Sequence, residues 1–119
     1  MEKLITIQTK EKLNEVYSAG EKGPGGGCHE YFIVAADGEY ILEHIQFQKG
    51  PRQSQGSVPG VLDCDLLEIV RDRMKAFQSG TMATDYNAQA FAHVEEALKI
   101  MNRRVEDRIK RGVLGTMEK

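Results

Sequence analysis

Three arginines near the C-terminus are the residues whose type and spacing most clearly suggest chemistry. Arg104, Arg108 and Arg111 are four and three residues apart in RRVEDRIKRGVLGT, so a helix would place all three on one face. Guanidinium groups hold phosphate and carboxylate oxygens through paired N–H donors. A salt-bridged, solvated helix surface is the alternative. The segment therefore indicates either an anion site or an ordinary charged face.

The sequence carries no clear catalytic motif. Cys28 and His29 are adjacent, and adjacent residues on a strand point to opposite faces, whereas a nucleophile and its base normally come from separate elements. The three histidines show neither CxxC nor HExxH spacing, and the glycine-rich segment at 23–27 lacks the lysine of a P-loop. We predict no catalytic residue, no metal site and no cofactor.

Length and charge narrow the class of protein. A chain of 119 residues fits one domain, which we predict as residues 1–119 with a sheet in 1–60 and a helical part in 61–119. The net charge of −2 argues against binding DNA or RNA polymers. No apolar run is long enough to span a bilayer, and the N-terminus does not resemble a secretory signal. We expect a cytoplasmic protein that does not bind membranes.

The N-terminal half reads as an antiparallel sheet. Residues 29–48 contain two runs rich in β-branched and aromatic residues around Asp37-Gly38, which predicts a β-hairpin with a two-residue type I′ turn. Residues 4–8 have the composition of a strand, whereas residues 12–23 are compatible with a short helix or a loop. The C-terminal half predicts two helices, which makes the fold class α+β.

The two helices have recognisable start signals. Asp63 or Asp65 can cap the first helix, and Thr84 or Asp85 can cap the second. The second helix is predicted over residues 86–111, which is about 37 Å at 1.5 Å per residue. This length exceeds what the core of so small a domain can cover.

The long helix has the apolar spacing of a helix that pairs along its length. Its apolar residues form a seam in which neighbours are three or four positions apart: Phe91, Val94, Leu98, Met101 and Val105. Arg108 occupies the next position of this seam, three residues after Val105. The other charges can form a solvated face through two ion pairs, Arg103 with Asp107 and Glu106 with Lys110. We therefore predict that the last helix forms a homodimer.

Five short segments, in this order, resemble one protein family. They are Gly27 to Tyr31 (GCHEY), Phe47 to Pro51 (FQKGP), Phe77 to Gly80 (FQSG), Asn87-Ala88, and Arg108 to Thr116 (RIKRGVLGT). Together they resemble the Thoeris anti-defence family of phage-encoded signal sponges, the first type described. The resemblance covers roughly residues 23–116.

The resemblance implies a protein without enzymatic activity. It would bind and sequester glycocyclic ADP-ribose, the signal of Thoeris immunity, in the cytoplasm of the host bacterium without degrading it. It would assemble as a homodimer or a higher homo-oligomer, and cyclic trinucleotides are a further ligand class. Two alternatives remain open: a hydrolase of a cyclic nucleotide with His29 or Glu30 as base, and a helical dimerisation module without a ligand.

The resemblance also indicates which residues would contact the ligand. Arg108 and Arg111 suit the pyrophosphate, and Asn87 suits the adenine edge or a ribose hydroxyl, although it could equally belong to a helix cap. The family commonly has an aromatic residue after FQxG where this chain has Thr81-Met82. The residue that stacks on the base is Phe77, Met82 or Tyr86. Gly115, like Gly112, could let the backbone approach the ligand. The full predicted set of ligand-binding residues is Arg108, Arg111, Asn87, Phe77, Met82, Gly112, Thr116, Gln48 and His29.

Overall fold

A computed structural model describes residues 1–119, apart from the side chain of Pro24. The chain forms two compact units, a sheet unit of Met1–Val61 and a helical unit of Leu62–Lys119. Within the described chain, no helix is both long enough and apolar enough to cross a membrane. The assignment of both units to one domain stays a prediction.

The sheet unit is a four-stranded antiparallel sheet, which confirms the α+β class together with the two helices that follow. The strands lie in the order β1-β2-β3-β4, and every neighbouring pair is antiparallel. Their bounds are Glu2–Lys3 for β1, Asn14–Ala19 for β2, Glu30–Ala35 for β3 and Ile41–Gln46 for β4.

Two sequence-based assignments near the N-terminus are wrong. The strand predicted over residues 4–8 is instead β1, at Glu2–Lys3, and residues 4–8 leave the sheet. The segment predicted as a helix or loop within 12–23 contains β2. Its weak helical periodicity is overridden by cross-strand pairing, in which Tyr17 lies opposite Phe32 of β3.

The predicted hairpin is confirmed, but its turn is longer than two residues. Strands β3 and β4 are joined by residues 36–40, and the N–H of Ala35 donates to the carbonyl of Tyr40 at 3.1 Å. Gly38 has φ 77°, the left-handed conformation that glycine adopts without steric cost. The Asp-Gly signal therefore locates the turn, while an irregularity in the register between Ile33 and Val34 alters its length.

The helical unit contains α1 (Asp63–Gln78) and α2 (Asp85–Lys110). Thr84 is the N-cap of α2 as predicted, and its hydroxyl accepts the N–H of Asn87 at 3.0 Å. The predicted cap of α1 is wrong, because the N-cap is Leu62. Asp65 still contributes from inside the first turn, where its carboxylate accepts the N–H of Leu62 at 2.8 Å.

The two helices pack together without enclosing a hydrophobic core. Arg71 of α1 donates to Glu95 of α2 at 2.9 Å, which ties the helices at mid-length. Of the residues described in this unit, only Arg108 is buried, at 5% exposure. Four of the five seam residues are half-buried, and the fifth, Val105, is exposed at 36%. The helical unit thus leaves much of its apolar surface in water.

Candidate functional site

Arg108 lies at the C-terminal end of α2 and holds the segment that follows it. Its guanidinium donates to three main-chain carbonyls: Val113 at 2.9 Å, Thr116 at 3.1 Å and Glu118. Arg108 is only 5% exposed, and no carboxylate pairs with it within the described residues. We call residues 113–118, wrapped around this guanidinium, the C-terminal loop.

The loop begins with a glycine helix stop. Gly112 has φ 71°, its N–H donates to the carbonyl of Ile109, and the N–H of Val113 donates to the carbonyl of Arg108, both at 3.0 Å. These two bonds form a Schellman motif, which reverses the chain at a helix end. The hydroxyl of Thr116 donates to the carbonyl of Val113 at 2.6 Å. Helix stop and guanidinium together fix the shape of the loop.

Arg111 is more accessible than Arg108. Its Nε donates to the carboxylate of Asp107 at 2.9 Å, and its Nη1 donates to the carbonyl of Lys119 at 3.0 Å. Its side chain is 47% exposed. The predicted pairing of Asp107 with Arg103 is therefore wrong, because Arg111 takes that carboxylate one turn later.

The other predicted ion pair is also absent from the described contacts. Glu106 accepts a hydrogen bond from the amide of Asn102 at 3.3 Å instead of pairing with Lys110. Residues 103–112 contain five basic and two acidic side chains. The end of α2 therefore carries an excess of positively charged side chains.

A second group of predicted residues lies around the start of α2. The main-chain N–H of Asn87 donates to the hydroxyl of Thr84, the N-cap residue, but its side-chain amide makes no hydrogen bond within the described chain. Met82, in the connector, is 69% exposed. Phe77 is 45% exposed and has the guanidinium of Arg73 at 5.3 Å from its ring centroid. The segment from Phe77 to Asn87 therefore offers an amide without a hydrogen-bond partner among the described residues and two exposed apolar side chains.

The two groups lie at opposite ends of the long helix. Asn87 and Arg108 are 21 residues apart in one continuous α-helix, or about 30 Å at 1.5 Å per residue. A ligand the size of a dinucleotide spans much less than this. One copy of the chain therefore does not bring Asn87 and Arg108 to a single ligand.

Gln48 and His29 belong to the sheet unit. Gln48 braces the loop after β4: its Oε1 accepts from Arg52 at 3.0 Å and from the N–H of Gly60 at 3.2 Å, and its amide donates to Gly50 at 2.9 Å. His29 packs against Gly23, where an added Cβ would lie 2.6 Å from the ring. Its Nδ1 is buried without a hydrogen-bond partner among the described groups.

An open groove between α1 and α2 was not predicted as a site. It has a volume of about 510 Å³, and seam residues Leu98, Met101 and Val105 form part of its lining. Asp63, Asp65 and Glu68 line its α1 side. Arg104 adds a guanidinium to the same lining, and the seam residues supply its apolar surface. The apolar periodicity of α2 predicted its seam residues but did not predict a groove against α1.

The sheet carries a His–carboxylate pair that sequence reasoning missed. His44 Nε2 lies 2.7 Å from a carboxylate oxygen of Glu30, and its ring stacks on Phe32 with centroids 4.5 Å apart. Both polar groups are partly exposed, and no described nucleophile adjoins them. His44 lies opposite Phe32 and diagonal to Glu30 on the neighbouring strand, a relationship visible only once the hairpin register is known.

Comparisons with known proteins place these residues in context. A family model described as "Acb2/Tad1, hairpin domain" matches residues 39–106. Thoeris anti-defense 1 from Bacillus phage SBSphiJ7 is 36% identical over 95 residues, which cover 80% of this chain and 66% of that protein. The chain thus spans just under two thirds of the length of this relative. The family match includes Asn87 and ends before Arg108.

Proposed function

We propose that this chain, which belongs to the Acb2/Tad1 hairpin-domain family, is a phage Thoeris anti-defence protein that acts by sequestration. It binds a cyclic ADP-ribose-type signal, glycocyclic ADP-ribose above all, in the host cytoplasm and releases it unchanged. The observation that carries this proposal is the positive end of α2, where Arg108 has no carboxylate partner among the described residues and Arg111 remains accessible. Sequestration needs tight binding and slow release, not a chemical step.

The pyrophosphate of such a signal fits the end of α2. Arg111 presents an accessible guanidinium, and Arg108 adds charge from beneath the C-terminal loop. Charge-assisted hydrogen bonds to phosphate are shorter and stronger than neutral ones. Because Arg108 is 5% exposed, direct contact with its guanidinium requires the C-terminal loop to move. Arg111, Gly112 and Thr116 form the surface that a ligand meets first.

The base and ribose fit the other end of the helix. The free amide of Asn87 can read the adenine edge or a ribose hydroxyl. Phe77 offers one ring face for stacking, since Arg73 lies over the other, and Met82 offers a polarizable sulfur. His29 and Gln48 complete the proposed set, from the sheet unit.

A single ligand can use both ends of α2 only if two copies of the chain share the pocket. In an antiparallel pair of α2 helices, the start of one helix lies beside the end of the other. The half-buried seam and the open groove lined by Leu98, Met101 and Val105 supply the apolar surface for this pairing. We therefore propose a homodimer with two pockets, each built from both copies.

The decisive experiment combines binding with recovery of the ligand. Titration calorimetry is performed with glycocyclic ADP-ribose, linear ADP-ribose and a cyclic trinucleotide, and the complexes are then denatured for analysis by mass spectrometry. Tight binding with intact recovered ligand is expected. Recovery of a cleaved product would establish the hydrolase alternative, and the absence of any binding would favour the dimerisation module.

The shared pocket has its own test. Asn87→Ala and Arg111→Ala homodimers should each lose affinity, because every shared pocket contains both positions. A purified heterodimer of the two variants has one pocket with both residues intact and one with neither. We expect calorimetry to show half the wild-type number of sites at wild-type affinity. Pockets confined to single copies would leave the heterodimer without any intact site.

A further inference from the structure

The N-terminal arm, residues 4–10, exposes two large hydrophobic side chains completely. Ile5 and Ile7 have relative exposures of 102% and 105%, the values of side chains in an isolated extended peptide. The arm continues from β1, which is the edge of the sheet. Sheet edges in monomeric proteins are usually protected by charge, proline or a covering element, not lined with β-branched hydrophobic residues. Within the sheet unit, this exposure leaves an apolar strand surface that a further strand can cover.

Beyond Leu4, the main-chain N–H and C=O groups at the start of the arm have no hydrogen-bond partner among the described residues. The N–H of Leu4 still donates to the carbonyl of Val16 in β2 at 2.9 Å. The N–H and C=O groups of Ile5 and Ile7 make no hydrogen bond within the described chain. Alternate residues of an extended strand direct these groups to opposite sides. If the arm extends as a continuation of β1, Ile5 and Ile7 therefore direct their N–H and C=O groups away from β2, towards the free edge of the sheet.

Only weak local contacts bend the arm away from an extended path. The hydroxyl of Thr6 donates to the carbonyl of Gln8 at 2.7 Å, and the amide of Gln8 donates to Lys10 at 3.0 Å. Both bonds are exposed to water. Exposed hydrogen bonds contribute little net free energy, so pairing with another strand can replace them.

The sequence of the arm is complementary to itself in one antiparallel register. With Thr6 on a two-fold axis, Ile5 of one copy lies opposite Ile7 of the other, and Glu2 lies opposite Lys10. Shifting the register by two residues in either direction leaves only one isoleucine facing an isoleucine and separates Glu2 from Lys10. Opposed β-branched and opposite-charge pairs each stabilise an antiparallel ribbon by about 0.2–1 kcal/mol.

We infer that the arm is an interface between two copies of this chain, in which residues 2–10 pair antiparallel with the same segment of a second copy about Thr6. Two observations identify the partner as a second copy of this chain: the charges of the arm are complementary to themselves, and the arm continues the free edge strand β1. The contact is isologous, as two-fold interfaces are. It is independent of the α2 seam, so the arms join copies whether or not those helices pair.

A cysteine placed on the two-fold axis tests the register. In a Cys28→Ser, Cys64→Ser background, Thr6→Cys brings two thiols together, because opposed non-hydrogen-bonded residues have Cα atoms about 4.5 Å apart and a disulfide spans that distance. Mild oxidation should give a covalent dimer on the order of a hundredfold faster than in the matched Thr9→Cys control, since opposed thiols have a millimolar effective concentration. Equal rates for the two variants would overturn the register.

A charge exchange tests the same interface without covalent chemistry. Glu2→Lys and Lys10→Glu should each reduce the size of the assembly measured by analytical ultracentrifugation. The double variant restores opposite charges and should recover the wild-type size. Ile5→Asp with Ile7→Asp should abolish the arm contact while the far-UV circular dichroism of the fold stays unchanged, because both side chains are fully exposed in the single chain. An assembly of unaltered size in the double aspartate variant would refute the interface.

Discussion

Arg108 and Val113 hold each other through two reciprocal hydrogen bonds. The guanidinium of Arg108 donates to the carbonyl of Val113 at 2.9 Å, and the N–H of Val113 donates to the carbonyl of Arg108 at 3.0 Å. One residue thus ends the helix with its main chain and shapes the following loop with its side chain. A proposed ligand residue is therefore also a structural residue, and its variants must be read for both roles.

Arg108→Ala should destabilise the protein. Three carbonyls lose a charged donor, and such hydrogen bonds contribute about 1.5–3 kcal/mol, so we expect the free energy of unfolding to fall by about that amount. Arg103→Ala is the matched control, because Arg103 is exposed and forms no ion pair among the described residues; its change should stay within about 0.5 kcal/mol. Urea denaturation measures both. Equal midpoints for the two variants would contradict the role of the guanidinium in the loop.

Arg108→Lys separates charge from geometry. Lysine keeps the positive charge but offers a single ammonium in place of a planar fork that reaches three carbonyls. We expect faster amide hydrogen exchange at Val113 and Thr116 and a lower melting temperature. If the arginine only complements the helix C-terminus, lysine should serve equally well and both properties should match the wild type.

Arg111→Ala should weaken ligand binding with little effect on folding. The side chain is 47% exposed and its pair with Asp107 lies at the surface, so the free energy of unfolding should change by less than about 1 kcal/mol. Loss of a charge-assisted phosphate contact should lower the affinity for glycocyclic ADP-ribose roughly ten- to a hundredfold. Calorimetry at two salt concentrations measures this, with Arg103→Ala as control. Identical affinities would remove Arg111 from the site.

Leu98→Asp should disrupt the proposed helix seam. Leu98 lines the open groove at the middle of α2, and an aspartate there would bury an unpaired charge on pairing, at a cost of several kcal/mol. Light scattering should show a smaller species than the wild type, with helical circular dichroism retained. Lys99→Asp, on an exposed neighbouring position, is the control. A wild-type protein that is a stable monomer at micromolar concentration would refute the seam.

The sheet unit has a pH-dependent contact at the start of β2. The hydrogen bond from Lys12 to Glu15, at 2.7 Å, lowers the pKa of Glu15 from its ordinary value of 4.5. A lowered carboxyl pKa stabilises the fold above the unfolded-state pKa, and this contribution is lost as the pH falls through the folded-state pKa. Lys12→Met should return the Glu15 pKa towards 4.5 in an NMR titration. An unchanged pKa would show that the contact is absent in solution.

Periodicity and turn chemistry were sufficient to predict several elements. The hairpin around Asp37-Gly38, the Thr84 cap and the long helix α2 follow from local rules, because each depends on residues close together in the chain. Local rules failed at Asn14–Ala19, which becomes a strand because β3 lies beside it. They also failed at residues 4–8, whose composition favours a strand but which, beyond Leu4, find no strand partner among the described residues.

The sequence by itself determined which residues carry charge at the end of α2, since the spacing of Arg104, Arg108 and Arg111 is fixed by the helix. Only the tertiary structure decided what each arginine does. Arg108 is buried because the chain reverses at Gly112 and brings three carbonyls onto its guanidinium, whereas Arg111 takes Asp107 and stays accessible. Hydrogen-bond partners depend on where the backbone returns after a turn, and residue spacing along a helix does not encode that path.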